Sequence, residues 1–196
     1  MLIGMTGAAV SGKSTAAAWL AGNHGFEMRS FAAPLKESAA ALLGVEVEDL
    51  EAWKNDPARF VSVGYERGPN LGHADHRMTV REFLQRYGTE SHRDVFGQDF
   101  WVDLSMRNIR FDYNERGVPV YDDIVWTDAR FPNEAAAIRK RAGRLIRIER
   151  PGAGVPGNHI SEQPLPAEVT IENDGTLEEL YEQLSEVVLE MKGGVW

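Results

Sequence analysis

Apolar runs alternate along the chain with amphipathic segments, and this alternation predicts strands separated by helices. Strands are predicted at Met1–Thr6, Phe26–Phe31, Val118–Thr127, Leu145–Ile148 and Val169–Ile171. Helices are predicted after Gly12, with stops at Gly22 and Gly25, and over Pro34–Leu43, Pro132–Ala142 and Leu177–Met191. This order favours an α/β fold built on a doubly wound parallel sheet with helices on both faces.

A mostly helical segment is predicted between the second and third strands. Thr79–Glu82 has the sequence of a capping box, which marks a helix start. Thr89 can cap a short helix that ends near Phe96, and Asp99 can cap a third helix. The stretch Glu51–His76 has mixed polarity and no clear period, so it predicts no particular element.

The length of 196 residues and the hydrophobic content of 43% fit one globular domain with a modest insertion. We expect a core formed by residues of about 1–35 and 115–196, and a helical insertion at about 36–114. A loop at about 150–166 is rich in Gly and Pro and separates the last two predicted strands.

Composition and charge then narrow the classes of function. The chain has 30 acidic and 21 basic residues, so its formal net charge is −9, which disfavours a nucleic-acid polymer as partner. It has no cysteine, which excludes disulfides and thiolate chemistry. The sequence offers neither a membrane-length apolar run nor the basic start of a signal peptide. We therefore expect a cytoplasmic protein without a membrane partner.

The most informative segment follows the first predicted strand. Residues 7–14, GAAVSGKS, match the Walker A pattern at every fixed position. The two glycines permit a close backbone approach, so that successive N–H groups can surround a phosphate. Lys13 adds a charge for the β- and γ-phosphates, Ser14 can supply a hydroxyl ligand to Mg²⁺, and the next helix directs its positive end at the anion. The predicted nucleotide-binding set is Gly7, Ala9, Ser11, Gly12, Lys13, Ser14 and Thr15.

Further short motifs follow this loop. They are FAAPLKE (31–37), TVREFLQ (79–85), GTE (88–90) with Arg93, DFWV (99–102), DARFPNE (128–134) and NDGTL (173–177). Together with the Walker A loop, these motifs resemble the phage-type deoxynucleoside monophosphate kinases over most of the chain.

The resemblance implies a P-loop kinase fold and the transfer of the γ-phosphoryl group of ATP to a deoxynucleoside monophosphate with Mg²⁺ as cofactor. It implies that the insertion is the acceptor domain and that the loop at 150–166 is a lid. It also implies a homodimer, and the host cytoplasm as the location of a phage-encoded enzyme.

Such a reaction requires positive charge rather than a general base, because the acceptor is already an anionic phosphate oxygen. Lys13 serves the donor side, and Lys36, Arg93 and Arg130 are the candidate cations for the acceptor phosphate. For Lys36 and Arg93 the alternative is a surface helix charge. Glu90 lies three residues before Arg93 and could simply pair with it.

Other candidates surround the donor nucleotide. Asp128 follows a predicted strand, so it would lie at the carboxyl edge of the sheet as a catalytic carboxylate and Mg²⁺ ligand, or else cap a turn. Arg150 is the candidate donor-phosphate cation of the lid. Asn173, Asp174 and Gly175 occupy the place where related kinases hold the adenine, although a capped turn also explains them.

The acceptor nucleotide requires contacts beyond its phosphate. Trp101 could stack on the base, but a tryptophan in an amphipathic helix is as often a core residue. Gln85 and Glu90 could bind the base edge or remain solvated. Asn133 and Glu134 complete the predicted acceptor set, and the alternative for Glu134 is a first-turn charge that complements the helix dipole.

Two other functions use the same residues. A P-loop kinase for a different small acceptor, such as dephospho-coenzyme A or a sugar acid, would need the same cations. A non-catalytic nucleotide-binding module would bind ATP or GTP without turnover. The choice of base depends on the shape of the pocket, which the sequence does not specify.

Overall fold

The computed structural model describes residues 1–66, 73–154 and 165–193. Its chain divides into two compact units. Unit 1 comprises Met1–Phe31 and Ser105–Trp196, and unit 2 comprises Ala32–Leu104. In the part of the chain that is described, no helix combines the length and the apolar character needed to cross a membrane.

Nine strands and eight helices are assigned in the described residues. The strands are β1 (Leu2–Thr6), β2 (Glu27–Arg29), β3 (Phe60–Glu66), β4 (His73–Thr79), β5 (Phe111–Tyr113), β6 (Pro119–Tyr121), β7 (Ile124–Trp126), β8 (Arg144–Glu149) and β9 (Val169–Glu172). The helices are α1 (Lys13–His24), α2 (Ala33–Leu43), α3 (Val47–Lys54), α4 (Val80–Gly88), α5 (Asp94–Phe96), α6 (Phe100–Ser105), α7 (Pro132–Arg139) and α8 (Leu177–Gly193). A π-helical turn, Thr89–Arg93, joins α4 to α5.

Unit 1 is built on a parallel five-stranded sheet with the order β2-β7-β1-β8-β9. Ile3 and Met5 are fully buried on one face of β1, in a core that α1 and α8 cover. Successive residues of a strand point to opposite faces. A Cβ added to Gly4 would meet Ile138 of α7, so α7 covers the other face. The predicted doubly wound α/β sheet with helices on both faces is therefore confirmed.

The strand order determines where a ligand can approach unit 1. The chain runs from β1 to one side of the sheet through β2 and β7, and then crosses to β8 and β9 on the other side. Parallel sheets of this kind bind ligands beyond the carboxyl ends of their strands, next to the point where the order reverses. The loop after β1 lies at this place.

Two local predictions for unit 1 are wrong. The predicted strand Val118–Thr127 is two strands: β6 pairs with β5 in an exposed antiparallel hairpin, whereas β7 is buried in the main sheet. The apolar pattern is continuous across both strands and does not specify their different partners. Gly22 lies within α1 rather than ending it, and Gly25 with φ +73° forms the C-cap.

Unit 2 contains α2, α3 and α4 together with an antiparallel hairpin of β3 and β4. Its core is the apolar cluster Ala39, Ala40, Leu50, Val61, Val80, Phe83 and Leu84. The insertion is thus not wholly helical, because the hairpin occupies much of the stretch for which the sequence predicts no element. The predicted capping box is confirmed at its first half, since the Thr79 hydroxyl accepts the backbone N–H of Glu82 at 3.2 Å.

The helix that follows α4 begins differently from its prediction. Thr89 does not cap a new helix: its own N–H donates to the Gln85 carbonyl, so the helix continues. The N–H of Asp94 then donates to the carbonyl of Thr89, five residues back, and this bond closes the π turn.

Candidate functional site

The loop between β1 and α1 has the backbone that its two glycines allow. Gly7 and Gly12 have φ of +132° and +108°, which L side chains rarely adopt. A Cβ added to Gly7 would collide with the Ile148 carbonyl oxygen, and one added to Gly12 would lie 2.5 Å from Nδ2 of Asn173. The loop is therefore held against β8 and the end of β9 at positions where only glycine fits.

The first turn of α1 carries no competing group of its own. No side chain caps its N-terminus, and the turn contains no acidic residue. Ser14 and Thr15 are exposed there, so their hydroxyls can meet a ligand. Such a helix end offers N–H groups and a positive dipole to an anion. Ser11 differs from these residues, because its side chain is buried and only its backbone can contribute.

Lys13 bonds to the loop and is affected by charged residues that follow β7. Its ammonium group donates to the carbonyl oxygens of Gly7, at 2.9 Å, and Ala8. Burial lowers the pKa of Lys13 below its ordinary value, and the charge of Arg130 lowers it further, whereas Asp128 opposes both. Arg130 and Asp128, the other two charged groups that the sequence predicts for catalysis in unit 1, thus both act on the ammonium group of Lys13.

The carboxylate of Asp128 is fixed by the chain that follows β2. One oxygen accepts the hydroxyl of Ser30 at 2.7 Å, and the other accepts the N–H of Phe31 at 2.8 Å. Ser30 is absent from the predicted site. A signal for it exists, because Ser30 directly follows a strand and β2 is the neighbour of β7 in the sheet. Arg130, two residues after Asp128, is exposed.

Asn133 and Glu134 interact with the backbone where α7 begins. Glu134 is 5% exposed, and its Oε2 accepts the N–H groups of Arg130 at 2.6 Å and Phe131 at 3.0 Å. Oδ1 of Asn133 accepts the N–H of Glu134. The carboxylate of Glu134 is buried in the turn, as its first-turn alternative expects, and its contact with the substrate stays a prediction.

Asn173 has a structural partner in the phosphate-binding loop. It is 8% exposed, and its side-chain amide donates to the Ser11 carbonyl at 2.8 Å. This contact supports the loop, and the role of Asn173 at the adenine stays a prediction. Asp174 and Gly175 are exposed and line a cavity of about 500 Å³. Next to them, the Thr176 hydroxyl accepts a backbone N–H in the first turn of α8, as the capped-turn alternative expects.

The predicted lid is described only at its two ends. Arg150 is exposed just after β8, and the N–H of Gly154 donates to the carbonyl of Ala9 at 3.1 Å. The first part of the loop thus contacts the Walker A segment. Residues 155–164, which include the polar residues His159, Ser161 and Glu162, lie outside the described residues.

Three predicted acceptor residues of unit 2 lie on α2, on α4 and in the π turn. Lys36 forms an ion pair of 2.6 Å with Glu51. Burial raises the pKa of Glu51, but the hydrogen bond and the charge of Lys36 outweigh burial and hold it below its ordinary value. Gln85 is exposed on α4, and Glu90 lies 4.0 Å from Arg86. Lys36 therefore has a defined partner, while Gln85 and Glu90 face solvent.

Arg93 ends the π turn that aromatic side chains stabilise. Nδ1 of His92 lies 2.7 Å from the Tyr87 carbonyl, and the indole N–H of Trp101 donates to the Gly88 carbonyl at 2.9 Å. Trp101 is 4% exposed, as its core alternative expects, and its stacking on the base stays a prediction. The sequence does not single out His92, because its contact with the Tyr87 carbonyl forms only when the chain adopts the π turn.

A family model described as deoxynucleotide monophosphate kinase matches residues 70–184, which is more than half of the chain. The chain belongs to this family. The matched range begins in unit 2 and runs through the β7–α7 turn to α8, so it includes Arg93, Asp128 and Arg130.

Relatives of this deoxynucleotide monophosphate kinase family occur in viruses. A protein of Acanthamoeba polyphaga mimivirus with that provisional description is 30% identical over 94% of this chain and 94% of its own. The deoxynucleotide monophosphate kinases of Enterobacteria phage T4 and Escherichia phage RB69 are 30% and 32% identical over 58% and 56% of this chain. The matched parts are 47% and 45% of those two phage proteins.

Among solved structures, shikimate kinase from Aquifex aeolicus is similar to this chain, and the alignment covers 100% of this chain and 98% of the shikimate kinase chain. The TM-score is 0.42 and the sequence identity is 14%. The P-loop fold is assigned from the strand order and the Walker A geometry of the chain itself.

Proposed function

We propose that the protein transfers the γ-phosphoryl group of ATP to a deoxynucleoside monophosphate, giving the deoxynucleoside diphosphate and ADP. The observation that carries this proposal is the phosphate-binding loop at the carboxyl end of β1, where the N-terminus of α1 is uncapped and the charges of Arg130 and Asp128 act on Lys13. Membership of the deoxynucleotide monophosphate kinase family supports the choice of acceptor.

The donor phosphates would bind at the uncapped N-terminus of α1. The neutral backbone N–H groups of the loop, from Gly7 to Ser14, can donate hydrogen bonds to the phosphate oxygens. The ammonium group of Lys13 exchanges the carbonyls of Gly7 and Ala8 for the β- and γ-phosphate oxygens. Thr15, Arg150, Asp174 and Gly175 complete the proposed ATP site.

The transfer step needs alignment and neutralisation of charge. A phosphate oxygen of the acceptor attacks the γ-phosphorus, the bond to the β–γ bridging oxygen breaks, and ADP leaves with that electron pair. Arg130 is exposed and within electrostatic reach of Lys13, so it is the cation of unit 1 that we assign to the transferring group. Arg93 and Lys36 are proposed for the acceptor phosphate, and Gln85, Glu90 and Asn133 for the acceptor nucleoside.

The residues present fit a magnesium ion. Ser14 offers an exposed hydroxyl in the first turn of α1, and Asp128 offers a carboxylate at the end of β7. Mg²⁺ commonly takes one or two protein ligands and completes its shell with water and phosphate oxygens, so two residues suffice. When bound, the ion neutralises charge on the β- and γ-phosphates. Ser30 and Phe31 hold the Asp128 carboxylate in one orientation.

A coupled assay of ADP release across all nucleoside and deoxynucleoside monophosphates tests the proposal. We expect at least one deoxynucleoside monophosphate to stimulate ADP release strongly, and we expect no turnover without Mg²⁺. Dephospho-coenzyme A and sugar acids belong in the same panel as competing acceptors. Stimulation by one of these compounds alone, or by none of the nucleotides, would overturn the proposal. The homodimer and the cytoplasmic location remain predictions.

A further inference from the structure

Glu134 is an unusual carboxylate for the first turn of a helix, because it is 5% exposed. Glutamate is rarely buried unless its charge is paired or hydrogen-bonded. A carboxylate would also repel a nucleotide phosphate, so Glu134 is not suited to bind one directly. The role of this side chain therefore has to be sought in the protein.

Its contacts lie in the turn between β7 and α7. Oε2 of Glu134 accepts the N–H of Arg130 at 2.6 Å and the N–H of Phe131 at 3.0 Å. Pro132, the first helical residue, has no N–H, so these two amides are the last donors before the helix. Hydrogen bonds to a charged acceptor are stronger than neutral ones, and two of them restrict the backbone of both residues.

The turn held in this way carries the charged groups of the proposed site. Asp128 lies two residues before Arg130 and is fixed on its other side by Ser30. The Arg130 side chain is exposed, and Arg130 follows β7, which pairs in the sheet with β1, the strand that leads into the phosphate-binding loop. The position of the Arg130 backbone thus sets the point from which its exposed guanidinium group extends.

We propose that Glu134 is a positioning residue: its buried carboxylate fixes the Arg130–Phe131 backbone, and through it the placement of Arg130 for phosphoryl transfer. The inference rests on the proposed function, in which Arg130 neutralises the transferring group. Glu134 itself touches no substrate. It acts through the backbone of Arg130 and Phe131, whose N–H groups it accepts.

A double-mutant cycle tests this coupling. Glu134→Ala removes the acceptor, and we expect kcat to fall by about 100-fold, the effect of a displaced catalytic group. Glu134→Gln keeps a carbonyl oxygen at the same place and is expected to restore most of kcat. In an Arg130→Ala background, Glu134→Ala should lower kcat by less than about twofold further, because no guanidinium remains to be positioned. Glu178→Ala, an exposed first-turn glutamate of α8, is the control.

Amide hydrogen exchange gives a readout that does not depend on activity. The N–H groups of Arg130 and Phe131 should exchange faster in Glu134→Ala than in wild type or Glu134→Gln, whereas the control variant should leave them unchanged. A normal exchange rate in Glu134→Ala overturns the inference. An equal loss of kcat with and without Arg130 overturns it too, and a raised KM for the acceptor in Glu134→Gln indicates direct contact instead. If the wild-type protein phosphorylates no nucleotide, the proposed function is refuted. The hydrogen-exchange result still decides separately whether Glu134 holds the Arg130–Phe131 backbone.

Discussion

Two helices of this protein begin in opposite ways. The N-terminus of α4 is closed by the Thr79 hydroxyl, and Glu82 lies in its first turn. The N-terminus of α1 has Gly12 in a left-handed conformation, no side-chain cap and no acidic residue. The α4 start satisfies one of its own donors, which stabilises the helix. The α1 start leaves its donors for an anionic ligand.

The comparison predicts that stability and activity depend on different helix starts. Changes at α4 should lower the free energy of unfolding and leave kinetics intact. Changes at α1 should lower activity by far more than they lower stability. The two kinds of measurement, made on the same variants, can support or refute this division.

Lys13→Ala is expected to have the largest effect. Loss of the ammonium group should reduce kcat by about 100- to 1,000-fold, the range found when a preorganised charge donor is removed. The urea midpoint should stay near that of wild type, because Lys13 bonds only to loop carbonyls and adds no core packing. Lys140→Ala, at an exposed lysine of unit 1, is the control. A near-normal rate for Lys13→Ala would contradict the assigned phosphate site.

Gly12→Ala should follow in size. The new Cβ would lie 2.5 Å from the Asn173 amide at a φ of +108°, so the loop must shift, and a displacement of about 1 Å can cost about 100-fold in rate. Gly25→Ala is the matched control, because Gly25 also has a positive φ at an end of α1 but has no atom within 4 Å of an added Cβ. It should cost about 1–2 kcal/mol of stability and no activity. Equal kinetic losses in both variants would mean that strain alone is responsible.

Asn173→Ala should have a moderate effect on the donor side. The Ser11 carbonyl would lose its buried partner, at a cost of about 1–3 kcal/mol. We expect this loss to raise KM for ATP by about tenfold and to leave KM for the acceptor unchanged. Asn23→Ala is the control, since the Asn23 amide bonds only to a carbonyl of its own helix. A KM for ATP equal to that of wild type would show that the loop holds its shape without Asn173.

Thr79→Ala should have the smallest effect. Loss of the cap is expected to lower the free energy of unfolding by about 1 kcal/mol without changing kcat or either KM. Thr79→Ser retains the hydroxyl and should behave like wild type. A kinetic defect in Thr79→Ala that serine corrects would show that the α4 start also serves the reaction, and the comparison would fail.

Much of unit 1 could be predicted from the sequence because its signals are local. The Walker A loop, β1 and the stop of α1 at Gly25 each follow from neighbouring residue types. The capping box at Thr79 in unit 2 is local in the same sense. In all of these cases the structure places the residue types where their intrinsic conformational preferences put them.

The remaining features depend on partners that are distant in the chain. The sequence of β3 alternates Val with small residues, but its pairing with β4 cannot be seen without the partner strand. Asn173 lies in a segment that suits a capped turn, and its bond to Ser11 spans 162 residues. The π turn at Thr89–Arg93 depends on a choice between two hydrogen-bond registers that propensities do not distinguish. The buried position of Trp101 depends on its bond to the carbonyl of Gly88, a residue thirteen positions away in the chain.

The position of β1 in the sheet has a consequence for the synthesis of the protein. The central strand β1 is made long before its two neighbours in the sheet, Ile124–Trp126 and Arg144–Glu149. Unit 2, in contrast, is one continuous segment, Ala32–Leu104, that is finished before either neighbour exists. The nascent chain therefore contains an unpaired apolar strand while the whole segment between β1 and β7 is translated, and such strands are prone to aggregate.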